Sequence, residues 1–234
     1  KDGDVWIGTP TGLYRFNGYS LTHYNGALQG SRRVFHVSMD ESGDLWVLTE
    51  KHILKSPAGS DRFIRISETT NPYFSLLHDK DCIWFGGLKN IYRYSDNRLE
   101  LLCTIDSPFD CRSMAKIDDN TLLCCSNNGK FLIDTRNGEI SDAPYGDISE
   151  VSAALVDDKG RIWMAFYNNG IEVYEKDGTR IRKYSTGNSS LSNDIVLCLA
   201  QRDSLILAGT DGGGINIINP ENDTIHVLSH VSGD

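Results

Sequence analysis

The side chains of this 234-residue chain that could do chemistry are spaced in ways that exclude most of it. Histidines stand at positions 23, 36, 52, 78, 226 and 230. His226 and His230 are four apart, but the surrounding pattern places them in a strand and the loop after it, not on one helix face, so they make no zinc-type pair. Cysteines at 82, 103, 111, 124, 125 and 198 contain no C-x-x-C pair. Cys124 and Cys125 are adjacent in a strand pattern, so their side chains leave opposite faces. All six read as free thiols acting as small hydrophobes, which would be unusual in an oxidising compartment.

The acidic pairs Asp118-Asp119 and Asp157-Asp158 fall where a hairpin must turn, and the turn accounts for them better than calcium binding or acid–base work. Asp211-Gly212-Gly213-Gly214 has the glycines of a phosphate loop, but no Lys-Ser/Thr and no helix pattern follows, so it reads as a loop between strands. No nucleophile beside a base is visible. The expectation is no metal, no cofactor and no catalytic residue in this domain. A net charge of -9, from 32 acidic and 23 basic residues with no basic run, argues against a nucleic-acid partner. A 39% hydrophobic and 24% charged composition is that of a globular domain, and no apolar run approaches the roughly 20 residues of a membrane helix.

The elements that must position any site follow from a repeat. Val5-Trp6-Ile7-Gly8-Thr9 is echoed by Leu45-Trp46-Val47-Leu48-Thr49, Ile83-Trp84-Phe85-Gly86-Gly87, Leu122-Leu123-Cys124-Cys125-Ser126, Ile162-Trp163-Met164-Ala165-Phe166 and Ile206-Leu207-Ala208-Gly209-Thr210. The tryptophan position falls at 6, 46, 84, 123, 163 and 207, a period near 40 that marks a repeat architecture. Gly12-Leu13-Tyr14-Arg15-Phe16 recurs as Asn90-Ile91-Tyr92-Arg93-Tyr94, Gly170-Ile171-Glu172-Val173-Tyr174 and Gly214-Ile215-Asn216-Ile217-Ile218, alternating with a strand's period of two.

The first complete unit predicts strands at 34–39, 44–49, 52–55 and 62–66, with Asp40-Glu41-Ser42-Gly43 closing the first hairpin. Four antiparallel strands per repeat describe a blade, and the fold class is all-β: a β-propeller of six four-stranded blades, the first lacking its inner strand, part of a seven-bladed ring. Residues 1–234 then form one domain with repeats at about 1–33, 34–73, 74–110, 111–150, 151–194 and 195–234. The chain starts inside a repeat, as an excised piece of a longer protein would. Leu123 and Leu207 replace the tryptophan in blades four and six, which predicts seams less filled by rings. The longest polar loops, 25–33, 69–73, 106–112, 144–150 and 185–194, join one blade to the next and should share a face with the turns between second and third strands.

Gly3-Asp4-Val5-Trp6-Ile7-Gly8-Thr9, Gly12-Leu13-Tyr14-Arg15-Phe16-Asn17-Gly18 and Leu191-Ser192-Asn193-Asp194-Ile195-Val196 together resemble the two-component regulator propeller repeat. The resemblance spans essentially the whole chain, strongly in blades one, five and six and weakly in two and four, where Leu48 and Cys125 replace the glycine. It implies the periplasmic sensor region of a Bacteroides-type hybrid two-component histidine kinase. Such a receptor carries a second propeller and an immunoglobulin-like domain, acts as a homodimer, and binds an oligosaccharide or other small glycan to control polysaccharide-utilisation genes.

The repeat motif is scaffold and transfers no ligand residue. Sugar binding calls for rings to stack on sugar faces, with amides, carboxylates and guanidinium groups to meet hydroxyl or acidic groups. On the predicted face the candidates are Arg32, Arg33, Asn71, Tyr73, Asp110, Arg112, Tyr145, Tyr167, Asn168, Asn169, Asn193, Asp194 and Asp211. The Tyr167-Asn168-Asn169 loop, a ring with two amides, ranks first. Two other readings stay open at this point: a glycan-cleaving propeller enzyme, which needs a carboxylate pair or Tyr/His pair at the channel mouth, and a protein-interaction scaffold, which needs a large exposed apolar patch.

Overall fold

The computed structural model describes residues 3–68, 72–146 and 150–229. They fall into two compact units, Lys1–Cys111 and Arg112–Asp234. Every sheet in both is an antiparallel meander in chain order.

Unit one holds three sheets. The first has three strands, β1 (Val5–Thr9), β2 (Gly12–Phe16) and β3 (Leu21–His23), and a single 3₁₀ turn, Asn25–Leu28, leads out of it. The second comprises β4 (Val34–Met39), β5 (Leu45–Thr49), β6 (His52–Ser56) and β7 (Ile64–Glu68), and the third β8 (Tyr73–His78), β9 (Ile83–Gly87), β10 (Asn90–Ser95) and β11 (Arg98–Thr104). The outer strand β7 begins two residues later than the sequence suggests. Phe63 turns inward instead of joining the ladder, and packs edge-on against Trp6 at 6.2 Å.

Unit two repeats the design three times. Its sheets are β12 (Ser113–Asp118), β13 (Thr121–Ser126), β14 (Gly129–Asp134) and β15 (Ile140–Asp142); β16 (Val151–Val156), β17 (Ile162–Phe166), β18 (Ile171–Tyr174) and β19 (Arg180–Tyr184); and β20 (Val196–Arg202), β21 (Leu205–Thr210), β22 (Gly214–Asn219) and β23 (Thr224–Leu228). The first strand of a blade is its innermost. Second strands such as β5 and β17 are buried along their whole length, as expected where both faces of a sheet meet a neighbouring blade.

Three recurring devices hold the blades. The turn aspartate does more than close the hairpin: Asp40, Asp79 and Asp157 accept the indole N–H of Trp46, Trp84 and Trp163 at 2.9, 3.2 and 2.9 Å. A buried indole nitrogen needs such a partner. Serines on four inner strands, β4, β8, β12 and β16, then reach residues further along the chain in the same unit. Ser38 Oγ lies 2.8 Å from His78 Nε2, Ser75 Oγ donates to the Cys111 carbonyl, Ser113 Oγ accepts from the Ala154 amide, and Ser152 Oγ donates to the Val196 carbonyl. Finally, four inner strands carry a register shift at their entry, at Val34/His36, Tyr73/Ser75, Val151/Ala153 and Val196/Cys198. A bulge there bends the strand and re-aims the loop before it.

The seam expected to be less filled by rings at Leu123 is filled by them. Leu123 packs with Phe166, Tyr145 and Tyr174, so rings from a loop and from the next blade fill the space a tryptophan occupies elsewhere. Tyr145 and Tyr174 stand 5.6 Å apart at 56°.

Candidate ligand-binding site

In unit two, one end of the three sheets gathers the loops before β12, β16 and β20 with the β17–β18 and β21–β22 turns. The strongest sequence candidate, Tyr167, lies here with its ring 47% exposed. Its amide donates to the Glu150 carbonyl at 3.1 Å, and the Glu150 carboxylate lies 3.8 Å from the Arg112 guanidinium. An exposed ring beside a half-exposed ion pair can stack on a sugar face while flanking groups meet its hydroxyls. Glu150 was not among the sequence candidates. The only signal for it was its place directly before an inner strand.

The loop that carries Tyr167 and the exposed Asn168 is fixed from behind. Asn169 is not free to meet a ligand: its Nδ2 donates to Glu172 at 3.2 Å and its Oδ1 accepts from Lys183 Nζ at 2.6 Å. Glu172, nearly buried, also takes the Tyr174 hydroxyl and Arg180 at 3.0 Å. Burial alone would push its pKa up, but the Tyr174 hydrogen bond and the Arg180 and Lys183 charges outweigh it and hold the carboxyl below its usual range.

Gly170 then turns with φ of +71° and donates to the Asp194 carbonyl at 2.9 Å, and a Cβ there would lie 2.1 Å from the Tyr184 carbonyl oxygen. Only glycine fits that position.

Asn193 and Asp194 are likewise positioning residues. Asp194 accepts from the Thr186 amide and hydroxyl, both at 2.8 Å, and Asn193 Nδ2 donates to the Asp211 carbonyl at 2.7 Å. The Asp211 side chain is exposed. Ser192 ties this loop to Thr210 at 3.1 Å and to the buried Asn216 at 2.8 Å. Gly213 sits where a Cβ would meet Ser192 and Thr210 and Gly214 where one would meet the Leu228 carbonyl, so this half of the glycine run is closely packed, whereas Gly212 faces open space.

Two tyrosines leave the candidate set. Tyr73 is 3% exposed and packs edge-on against Phe85 and Tyr92. It is the first residue of β8, the place held by Val34, Val151 and Val196 in other blades, all buried. Tyr145 is fully buried and plugs the loop before β16 as Leu28, Phe109 and Leu191 plug theirs. Its hydroxyl donates to the Lys176 carbonyl at 3.3 Å, and burial pushes the phenol up to about 12. Neither ring can stack on a ligand.

In unit one, Arg32 and Arg33 are exposed, Asp110 is half-buried in a bridge with Leu88, and Asn71 lies outside the described residues. The opposite end of the unit-one sheets, which the sequence reading did not consider, holds a cleft of about 610 Å³ lined by Asp40, Glu41, His78, Asp79, Lys80 and Asp81 among others. Among the described residues no group of three or more His, Cys, Asp or Glu is arranged to hold a metal ion.

No protein-family model matches the chain, and no curated protein does. Solved structures do match. Virginiamycin B lyase from Staphylococcus aureus superposes with a TM-score of 0.74 at 15% identity, over 100% of this chain and 83% of that one. The fold is a β-propeller. The extracellular domain of the hybrid two-component system BT4673 from B. thetaiotaomicron gives 0.61 at 14% identity, over 100% of this chain and 41% of that one. PorZ, a surface component of the type-IX secretion system of Porphyromonas gingivalis, gives 0.71 at 16%, over 93% and 41%. The chain thus spans about two fifths of the length of the sensor and PorZ structures, and identities this low speak for the propeller alone.

Proposed function

We propose that this chain is a ligand-sensing propeller segment of an extracytoplasmic two-component receptor, and that it binds an oligosaccharide at the unit-two rim around Tyr167 without chemically altering it. The observation that carries the reading is the half-exposed Tyr167 ring beside the Arg112–Glu150 pair, on a loop held rigid by Asn169 and Gly170. Such preorganisation lowers the entropy cost of binding. The fold shared with the extracellular domain of a hybrid two-component system supports the sensor role and the location outside the cytoplasm, and no helix of the described residues is long and apolar enough to cross a membrane. A second propeller, an immunoglobulin-like domain and a homodimeric kinase complete the proposed receptor. Signalling then requires the ligand to favour one arrangement of the receptor over another by differential affinity.

The test is a calorimetric titration of the chain and its Tyr167→Ala and Arg112→Ala variants with glycans selected from a plant and host oligosaccharide panel. Loss of about tenfold in affinity in either variant, with the fold intact, is the expected result. Unchanged affinity in both places the ligand elsewhere. Appearance of cleaved sugar would replace the sensor with the enzyme reading.

A further inference from the structure

The loop before β4 in unit one carries adjacent arginines, Arg32 and Arg33, that form no ion pair among the described residues. Glu50 meets this loop through its backbone: it accepts the Arg32 amide at 2.9 Å and the Arg33 amide at 2.6 Å. Burial alone would raise the Glu50 pKa, but these two N–H groups, its own amide and the Lys51 charge together outweigh it and hold the carboxyl low. The loop backbone is therefore pinned while both guanidinium groups stay clear of the carboxylate.

Four other acids of the unit are engaged with different bases: Asp4 and Asp61 with Arg15, Asp44 with Lys55, Glu68 with Arg65. Arg33 lies over the Phe35 ring at 5.7 Å, which orients its planar group without neutralising it. Arg32 borders an open cleft of about 670 Å³ whose other walls are Pro10, Thr11, Gly30 and Ser31, so the cleft's one charged lining side chain is positive. This occurs in a chain whose net charge is -9.

We infer that the Arg32–Arg33 loop is an anion subsite, which takes a carboxylate or sulfate group from a ligand lying in the cleft beside Pro10 and Thr11. A guanidinium fork matches either group with paired charge-assisted hydrogen bonds, and an ammonium in its place would act only as a point charge. That an anion binds here is independent of the unit-two rim; that the anion is borne on a sugar, as a uronic acid or a sulfate ester, rests on the sensor reading above. Thr11 and Ser31 line the cleft beside Arg32.

The experiment titrates the full chain with tetragalacturonate, a 6-sulfated chondroitin tetrasaccharide and neutral galactotetraose, at low and at physiological salt. At least one anionic probe should bind, more weakly as salt rises, and galactotetraose should not compete with it. Arg32→Ala/Arg33→Ala should lose on the order of 30-fold or more in affinity, since each paired contact to a charged group is worth roughly tenfold. Arg32→Lys/Arg33→Lys should fall between the two. Arg98→Ala, which removes an exposed charge elsewhere, should bind as wild type. Failure of both anionic probes, equal binding by the double-alanine variant, or an equal loss in Arg98→Ala would each overturn the subsite. A neutral sugar whose binding is abolished in Tyr167→Ala, with both anionic probes silent, would refute this inference and leave the rim reading standing; an anionic probe lost in the double-alanine variant with no sugar sensitive to Tyr167→Ala would do the reverse.

Discussion

Three tyrosines that look alike in the sequence should respond in opposite ways to one substitution. Tyr145→Ala removes a ring with no exposed surface, which packs on Tyr174 and fills the seam left open by Leu123. It also removes the hydroxyl that meets the Lys176 carbonyl. Deleting a buried aromatic ring costs roughly 3–5 kcal/mol, the lost transfer energy plus the cavity left behind. Tyr73→Ala, at 3% exposure between Phe85 and Tyr92, belongs in the same range. Tyr167→Ala removes a ring already 47% in water, for which about 0.5 kcal/mol is the expected ceiling. Urea unfolding followed by tryptophan fluorescence, with a common slope for all three, separates these values easily. If Tyr145→Ala proved as mild as Tyr167→Ala, its ring would not be a core element, and the division between scaffold and rim would fail.

Three further outcomes follow from the same geometry. Asp157 accepts Trp163 Nε1 at 2.9 Å and Arg161 Nε at 2.6 Å, so Asp157→Ala should lower unfolding stability by about 3 kcal/mol and Asp157→Asn, which keeps one acceptor oxygen, by less; equal and small losses would show that the turn alone needs the residue. His36 has its pKa lowered to about 4 by burial and then by the charge of His78, so the unfolded chain binds the proton first as pH falls. Its contribution is fully present above the unfolded value near 6.5 and drains away down to about 4, a loss of about 2 kcal/mol after allowing for partial exposure; His36→Gln should flatten the stability profile over that window, and an unchanged slope would contradict the assignment. Gly170→Ala should cost at least about 1 kcal/mol for the left-handed backbone and more for the approach to Tyr184, and should weaken ligand binding with it; wild-type stability in a thermal melt would show that the loop can relax.

The blade pattern was legible because tryptophan spacing and alternation repeat on the scale of the fold itself. The six second strands lie where Trp6, Trp46, Trp84, Leu123, Trp163 and Leu207 place them, and β4 begins and ends at the expected residues. Less could be read about the loops. Asp40 and Asp157 were understood as turn residues, but the indole each receives comes from the following strand and is visible only when the hairpin is folded.

Tyr73 and Tyr145 illustrate the limit. Their polarity and their position between strands suggested a surface, whereas the register that aligns Tyr73 with Val34 and the plug role shared by Tyr145 and Leu28 put both inside. An alignment of the blades on their inner strands would have exposed Tyr73; nothing local distinguishes Tyr145. The Glu172 network around Asn169 was hidden for a different reason: its members at 169, 172, 174, 180 and 183 meet only because β18 and β19 pair.

The central claim is that the chain binds a glycan without turning it over. The most direct measurement is a thermal-shift screen of the chain against plant and host oligosaccharides, each positive then incubated with the protein and its sugar analysed for cleavage. A ligand that binds the folded state stabilises it by mass action, by about 2.7 kcal/mol at one hundred times its dissociation constant, and so raises the melting temperature. The account predicts at least one sugar that shifts the melt, loses that shift in Tyr167→Ala and is recovered unchanged. A sugar returned shortened or eliminated, or a panel in which no shift is lost in Tyr167→Ala, would contradict it.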